Sequence, residues 1–272
     1  MILLLASKRD IAGMNIAQQI IQLHSFKEMP QEFDGYPVYE QKIANEKVLL
    51  AFTDKELIKS QGVTKHFQPK LIVFLSRHAS QAGTPTLSVH TPGNLTSQAK
   101  MGGLPKKISI SPASKMKKTL TTMAKLVQER GLEYDVSYEC THHGPSLDTP
   151  AMFAELGSTI MQWKDIDAAE IVAKAVIEAI KNFSLYPTAI GIGGPHYNRK
   201  FTKIALTSGT AFAHIIPKYV IPEIEEKMIQ KCVERVVEKV ETAILDWKGI
   251  KGEHKPKIVK ALEKLNIKIE KV

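Results

Sequence analysis

Residues 165–197 read DIDAAEIVAKAVIEAIKNFSLYPTAIGIGGPHY. Asp165 suits a helix start, because its short carboxylate can accept from the unpaired N–H groups of the first turn. Ala169, Val172, Ala173, Val176, Ile177 and Ile180 then fall on one face at helical spacing. A short apolar run, Thr188–Ile192, follows and ends in Gly193-Gly194-Pro195-His196. Helix, strand and polar turn in succession is the repeating unit of an α/β domain.

The same alternation extends in both directions. Strands are expected at Ile2–Ala6, Val48–Phe52, Leu71–Leu75, Leu87–His90, Tyr134–Cys140, Thr188–Ile192 and Ala211–Ile216. A helix is expected from Pro222, at its first position, to about Trp247, with Ile224, Met228, Cys232, Val236, Val240 and Ile244 along one stripe. Gly249 and Gly252 interrupt the chain, and Pro256 opens a last short helix. The expectation is a single α/β domain over residues 1–272, with a basic loop–helix region at about 91–130 and C-terminal helices at about 222–272.

Composition excludes several classes. A chain of 272 residues can bury a core without staples. Two cysteines, Cys140 and Cys232, cannot build a disulfide framework or a four-thiolate zinc finger. Cys232 is expected on a buried helix face, and Cys140 in the packed core, since strand alternation turns it away from Glu139. No apolar run approaches the roughly 18 residues needed to cross a bilayer, and MILLLASKRD reads as a first strand. A cytosolic protein without membrane contact is expected.

The net charge is +9, and its distribution is uneven. Between Thr96 and Arg130, Lys100, Lys106, Lys107, Lys115, Lys117, Lys118, Lys125 and Arg130 face a single acid, Glu129. The charged end from Glu223 to Val272 nearly balances, with 12 basic and 10 acidic residues, and reads as a solvated face. An excess like that of 96–130 favours a polyanion, most commonly nucleic-acid phosphate. The stretch has no aromatic residue on which bases could stack, so any contact there is expected to be with the backbone.

Six of nine histidines sit where expected strands end: His78, His90, His142, His143, His196 and His214. Open α/β sheets bind ligands beyond the carboxyl ends of their strands, so these side chains are expected to meet at one edge. His24, His66 and His254 are expected at the surface. Glu139-x-x-His142-His143 brings a carboxylate near two imidazoles, a combination suited to metal binding or proton transfer. Gly191-x-Gly193-Gly194 is neither a dinucleotide fingerprint nor a Walker loop, and no GxSxG elbow offers a nucleophilic serine. Hydrolysis by metal-activated water is the chemistry these residues fit.

The motifs SRHAS, VHTPGN, GGLP, ECTHHGP, GIGGPHY and AHIIPKY, in this order, resemble the archaeal and plant-type D-aminoacyl-tRNA deacylases. The resemblance implies a zinc-dependent hydrolase that cleaves the ester between a D-amino acid and the 3′-terminal ribose of tRNA. It also implies a three-layer α/β/α fold with a mostly parallel or mixed central sheet, of the phosphorylase/peptidyl-tRNA hydrolase type. On this reading one zinc ion or two are held by a subset of His78, Glu139, His142, His143, His196 and His214. His90 or His142 serves as general base, and the amides of Gly193 and Gly194 stabilise the oxyanion. Arg77 and Lys218 hold terminal tRNA phosphates, and Lys100, Lys106, Lys107, Lys115, Lys117 and Lys118 hold the acceptor stem. A monomer is expected. The competing readings are a metal hydrolase of a small amide or ester, a nucleoside phosphorylase, and a non-catalytic RNA-binding protein with structural zinc.

Overall fold

The structure, a computed structural model, describes residues 1–182 and 184–272. In chain order it contains β1 (Ile2–Ser7), α1 (Ile11–His24), β2 (Lys27–Phe33), β3 (Tyr36–Ile43), β4 (Glu46–Thr53), β5 (Leu71–Ala79), β6 (Thr86–His90) and α2 (Ala113–Arg130). There follow β7 (Asp135–Tyr138), β8 (Ala151–Ser158), α3 (Ile160–Trp163), α4 (Ile166–Lys181), β9 (Thr188–Ile192), α5 (Arg199–Thr207) and β10 (Ala211–Ile216). The chain closes with α6 (Glu226–Glu234), β11 (Val240–Leu245), α7 (Lys255–Lys264) and β12 (Lys268–Lys271).

The large sheet has the order β2-β3-β4-β1-β5-β8-β6-β7, and a second sheet has the order β10-β9-β11-β12. In the large sheet β4, β1, β5 and β8 run parallel, while β6 runs antiparallel to β8 and parallel to β7. The second sheet is parallel throughout. The expected α/β class, with a mixed central sheet and flanking helices, is the one this chain adopts.

Strand β1 shows why the sheet is central. Ile2, Leu4 and Ala6 pack on one face with Ala12, Ile16 and Ile20 of α1 and with α4. Leu3 and Leu5 pack on the other with Leu49, Phe74 and Phe153. Both sides are buried, which is why ILLLA shows no polar alternation. The Asp165 carboxylate caps α4 by accepting from Ala168 N at 3.0 Å. One face of the second sheet is covered by α6 and α7 through Met228, Ile229, Ile258 and Leu262. No helix among the described residues is long and apolar enough to cross a membrane.

All seven expected strands are present, but the helix expected from Pro222 to Trp247 is not one element. Helix α6 stops at Glu234, and Val240–Leu245 is strand β11 beside β9. Val240 and Ile244 lie one helical turn apart, yet they also share a face at the strand period of two. The surrounding β-branched residues and the open place beside β9 favour the strand. Strand β8 has no counterpart in the periodicity either. AMFAELGS is buried along its whole length between β5 and β6, so small and apolar residues occur without alternation.

Helices α2 and α4 are joined by Arg130, whose guanidinium pairs with Glu170 at 2.6 Å; Lys174 adds a second bridge at 2.6 Å. Hydrogen bonds from Arg130 and then Lys174 pull the Glu170 carboxyl down from 4.5 to about 2. A depressed carboxyl stabilises the fold above its unfolded value and loses that contribution as pH falls from about 4.5 towards 2. Glu170→Gln is therefore expected to cost about 1 kcal/mol at pH 7, with the difference vanishing near pH 2. Urea midpoints measured across that range check it; a pH-independent difference would count against the bridge.

Candidate active site

Three neighbouring strands build the floor of the site through their alternation. Ser76 of β5, Glu155 of β8 and Ser88 of β6 stand in register across the sheet. One step along, Phe74 stacks on Phe153 at 4.6 Å, and His90 stacks on Phe153 at 5.0 Å with the rings 7° from parallel. His78 lies two residues beyond Ser76, and His90 two beyond Ser88. Because β6 runs against β5 and β8, these two histidines enter from opposite directions and stand over one face of the sheet, His78 beside Gly157 and His90 beside Phe153, not at one carboxyl edge. The segment after β7 supplies Glu139, Cys140, His142 and His143, and the turn after β9 supplies His196.

Glu139 is the electrostatic centre. It is 3 % exposed, with Oε1 accepting from His78 Nδ1 at 3.0 Å and Oε2 from His196 Nε2 at 2.9 Å. Ser88 Oγ donates to Oε1 as well. Burial alone would raise this carboxyl, but its bonds to His196 and His78 outweigh that and hold it well below the usual range. Burial likewise opposes charge on His78, yet Glu139 and Glu155 lift it to about 9. His196 is lifted to about 10 against its own burial by Cys140 and Glu139. Glu155 is pushed up to about 8, chiefly by burial.

A second set of imidazoles is neutral. Burial drives His143 down to about 4, and drives His90 and His142 well below their ordinary value. His142 Nδ1 donates to the Cys140 carbonyl at 2.8 Å, and His143 Nδ1 to the Gly144 carbonyl at 2.7 Å. Each bond leaves the Nε2 lone pair free, the arrangement by which metal-binding histidines are commonly oriented. His143 holds a left-handed backbone, φ 43°, to make this presentation.

Ligand atoms of His90, His142 and His143 lie within 4.8 Å of one another, as do those of Cys140, His142 and His196, and those of His78, Glu139 and Glu155. His90 Nε2 and His143 Nε2 are 3.3 Å apart. Two nitrogens bound to one tetrahedral zinc ion at 2.0–2.1 Å would sit about 3.3–3.4 Å apart. His90 Nδ1 is buried without a hydrogen-bond partner, so an acceptor does not hold this ring by its other nitrogen. Neutral imidazoles clustered with a thiol suit zinc, and these residues could hold it.

The cluster opens into a cavity of about 670 Å³ lined by His78, Glu139, His142, His143, Glu155, His196, Tyr197 and Tyr219, with Arg9, Arg77 and Lys100 also on its wall. Tyr219 OH is 3.0 Å from His196 Nδ1. Cys140 is fully buried as expected, but its Sγ approaches His196 Nδ1 at 3.2 Å. Strand β7 ends at Tyr138, so alternation does not govern residue 140.

Several expected placements need correction. His214 is apart from the cluster: Nδ1 contacts Thr141 Oγ1 at 3.1 Å and Nε2 the Arg235 carbonyl at 3.0 Å. Gly193 N donates to the Ile216 carbonyl at 2.8 Å, so that amide is not open to an oxyanion, and Gly194 does not line the cavity. Lys117 is buried, and its ammonium binds the Ala205 and Ser208 carbonyls at the end of α5. Lys115 binds the Ala179 and Asn182 carbonyls at the end of α4. Lys106 pairs with Glu225, Lys107 with Asp148 and Arg130 with Glu170, so acids distant in sequence neutralise much of the basic segment. Lys118 is half-buried on α2, and Lys218 is exposed outside the cavity wall.

Sequence reasoning missed Glu155 and Phe153, which lie on the unrecognised strand β8, and Tyr197, Tyr219, Asp10 and Arg9. The tyrosines stand inside the quoted GIGGPHY and AHIIPKY motifs, which offered a signal. Arg9 and Asp10 lie in the turn after β1, and the parallel pairing of β1 with β5 brings that turn beside Arg77.

The D-aminoacyl-tRNA deacylase family model matches residues 65–270, a span that contains every histidine and carboxylate of this cluster. The chain belongs to the D-aminoacyl-tRNA deacylase family. It is 39% identical over 258 residues to the D-aminoacyl-tRNA deacylase of Thermococcus kodakarensis, with 92% of each chain covered. It is 34% identical to that of Methanosarcina barkeri, covering 99% of this chain and 89% of that one. The crystal structure of a conserved protein of unknown function, 29% identical, superposes with a TM-score of 0.92 over 100% of this chain and 95% of that one. The deacylase family thus spans both the cluster on the large sheet and the second sheet behind it.

Proposed function

We propose that this chain hydrolyses the ester joining a D-amino acid to the 3′-terminal ribose of tRNA, with zinc held by His90, His142 and His143. The observation that carries this is the set of three imidazoles, each kept neutral by burial, whose ligand nitrogens lie within 4.8 Å of one another, with His142 and His143 on the cavity wall. A zinc ion so held would supply Lewis acidity toward the ester carbonyl and toward water. The family name of the relatives points to the same bond.

The chain's own groups divide the proton work. His196 carries a proton at neutral pH because Cys140 and Glu139 outweigh its burial, and Tyr219 OH stands 3.0 Å from its Nδ1 on the cavity wall. This pair is placed to protonate the departing ribose oxygen. Glu139 keeps His196 charged and fixes its ring, and the charged His78 braces the other carboxylate oxygen. Burial of the cluster on the Phe74 and Phe153 rings limits water around it.

Deacylation of paired D- and L-aminoacyl-tRNAs, with chelator and then with zinc restored, tests the proposal. Hydrolysis of the D ester, its loss on chelation and its return with zinc are expected. Full activity in metal-free protein would overturn the role of zinc. Equal rates on a free D-aminoacyl ester and on D-aminoacyl-tRNA would favour a small-ester hydrolase, and tRNA binding without amino-acid release would favour an RNA-binding protein.

A further inference from the structure

We propose that the edge formed by the carboxyl ends of β1, β5 and β8 is the track on which the unpaired 3′ end of tRNA lies. Its phosphates would rest on Arg9, Arg77 and Lys100, and a base would lie against Trp163. This rests on the proposed function and names the surface that delivers the ester to the cluster.

The three strands are adjacent and parallel, so the residues at their carboxyl ends share one edge. That edge presents Arg9 after β1, Arg77 near the end of β5, and Ile160 to Trp163 after β8. Arg9, Arg77 and Lys100 are exposed, line the mouth of the catalytic cavity, and form no ion pair among the described residues. The lysines of 96–130 that first suggested a nucleic-acid contact are different: most are paired with acids or bound to carbonyl oxygens. Arg9, Arg77 and Lys100 remain available at the cavity mouth.

The aromatic element missing from the 96–130 segment is present on this edge. The Arg77 guanidinium lies 5.3 Å from the centre of the Trp163 ring. Trp163 Nε1 donates to the His78 carbonyl at 2.8 Å, which anchors the indole to the strand that carries a cluster histidine. Beside it Ile160 is 43% and Met161 73% exposed, large apolar side chains that face solvent. Cations for phosphates combined with an aromatic and apolar platform for bases is the chemistry that binds single-stranded nucleic acid. An acidic peptide would use the cations and leave the platform idle.

Equilibrium binding of uncharged tRNA, intact or trimmed of its unpaired 3′ end, across a salt series tests the track. Wild type should bind the intact form at least about tenfold more tightly. In the triple variant R9A/R77A/K100A that advantage should disappear, and the log–log salt slope should fall by about 2, at roughly 0.7 per single-strand phosphate. Trp163→Phe, which keeps a ring in the partly packed position, should lose about fivefold on the intact form only. K106A/K107A serves as comparison and should leave the advantage in place. Equal weakening of both tRNA forms by the triple variant would overturn the proposal, as would no advantage of the intact form in wild type. Displacement of the tRNA by polyglutamate at equal charge would also overturn it. These measurements are separate from turnover. A failed track with active deacylation overturns the track alone, and a sound track without ester hydrolysis overturns the proposed function alone.

Discussion

Replacing His143 by alanine is expected to lower D-aminoacyl-tRNA deacylation by far more than the roughly 10–100-fold that loss of an outer-shell partner costs. The reason is geometric. His143 Nδ1 donates to the Gly144 carbonyl, so the ring presents Nε2 to His90 Nε2 at 3.3 Å, with His142 beside both. Removing it leaves two imidazoles, too few to close a three-ligand catalytic zinc site. The side chain belongs to a turn and packs on His90 and Phe153, so the far-ultraviolet dichroism should stay near wild type while the urea midpoint falls modestly. Bound zinc, measured on the purified protein, should fall with the rate. Wild-type turnover together with wild-type zinc content would remove His143 from the site.

Glu139→Ala should give the largest loss of stability, about 3–5 kcal/mol, because it removes one partner of a buried charged network. Both oxygens of the carboxylate are engaged, and the structure offers His78 and His196 no equivalent anion in its place. Glu155 is a weak substitute: burial pushes it up to about 8, and it sits 3.8 Å from His78 Nδ1. Without Glu139 the buried His78 must give up its proton at pH 7 or remain charged without its main partner, and His196 loses its anion on the cavity wall. Glu139→Gln keeps the volume and one acceptor oxygen, so it should lose less stability, yet it still removes one of the two groups, with Cys140, that keep His196 protonated. Urea unfolding of both variants checks the order. An alanine variant with the wild-type midpoint would show that Glu139 does not bind the network together.

The legible part of the site was a matter of residue type and local order. His78, His142, His143 and His196, together with Glu139, were recognisable because imidazoles and a carboxylate recur beside glycine and proline at strand ends. Glu155 was not, because β8 is buried between β5 and β6 and its run AMFAELGS carries no period. Lys115 and Lys117 read as phosphate ligands from charge alone. Their ammonium groups instead satisfy carbonyls at the ends of α4 and α5, contacts 64 to 91 residues away along the chain.

Alternating apolar runs and amphipathic stretches were enough to specify the α/β class, seven strands, the capped helix after Asp165 and the motif order of the deacylase family. These are properties of neighbouring residues, and side-chain periodicity and capping act over a few positions. Strand direction, charge pairing and the choice between helix and strand at Val240–Leu245 depend on which segments become neighbours in space. The antiparallel course of β6 is the clearest case. It turns what reads as a row of histidines along one edge into a cluster over the sheet face, because His90 comes to rest beside Phe153 while His78 stands four residues beyond Phe74 on β5.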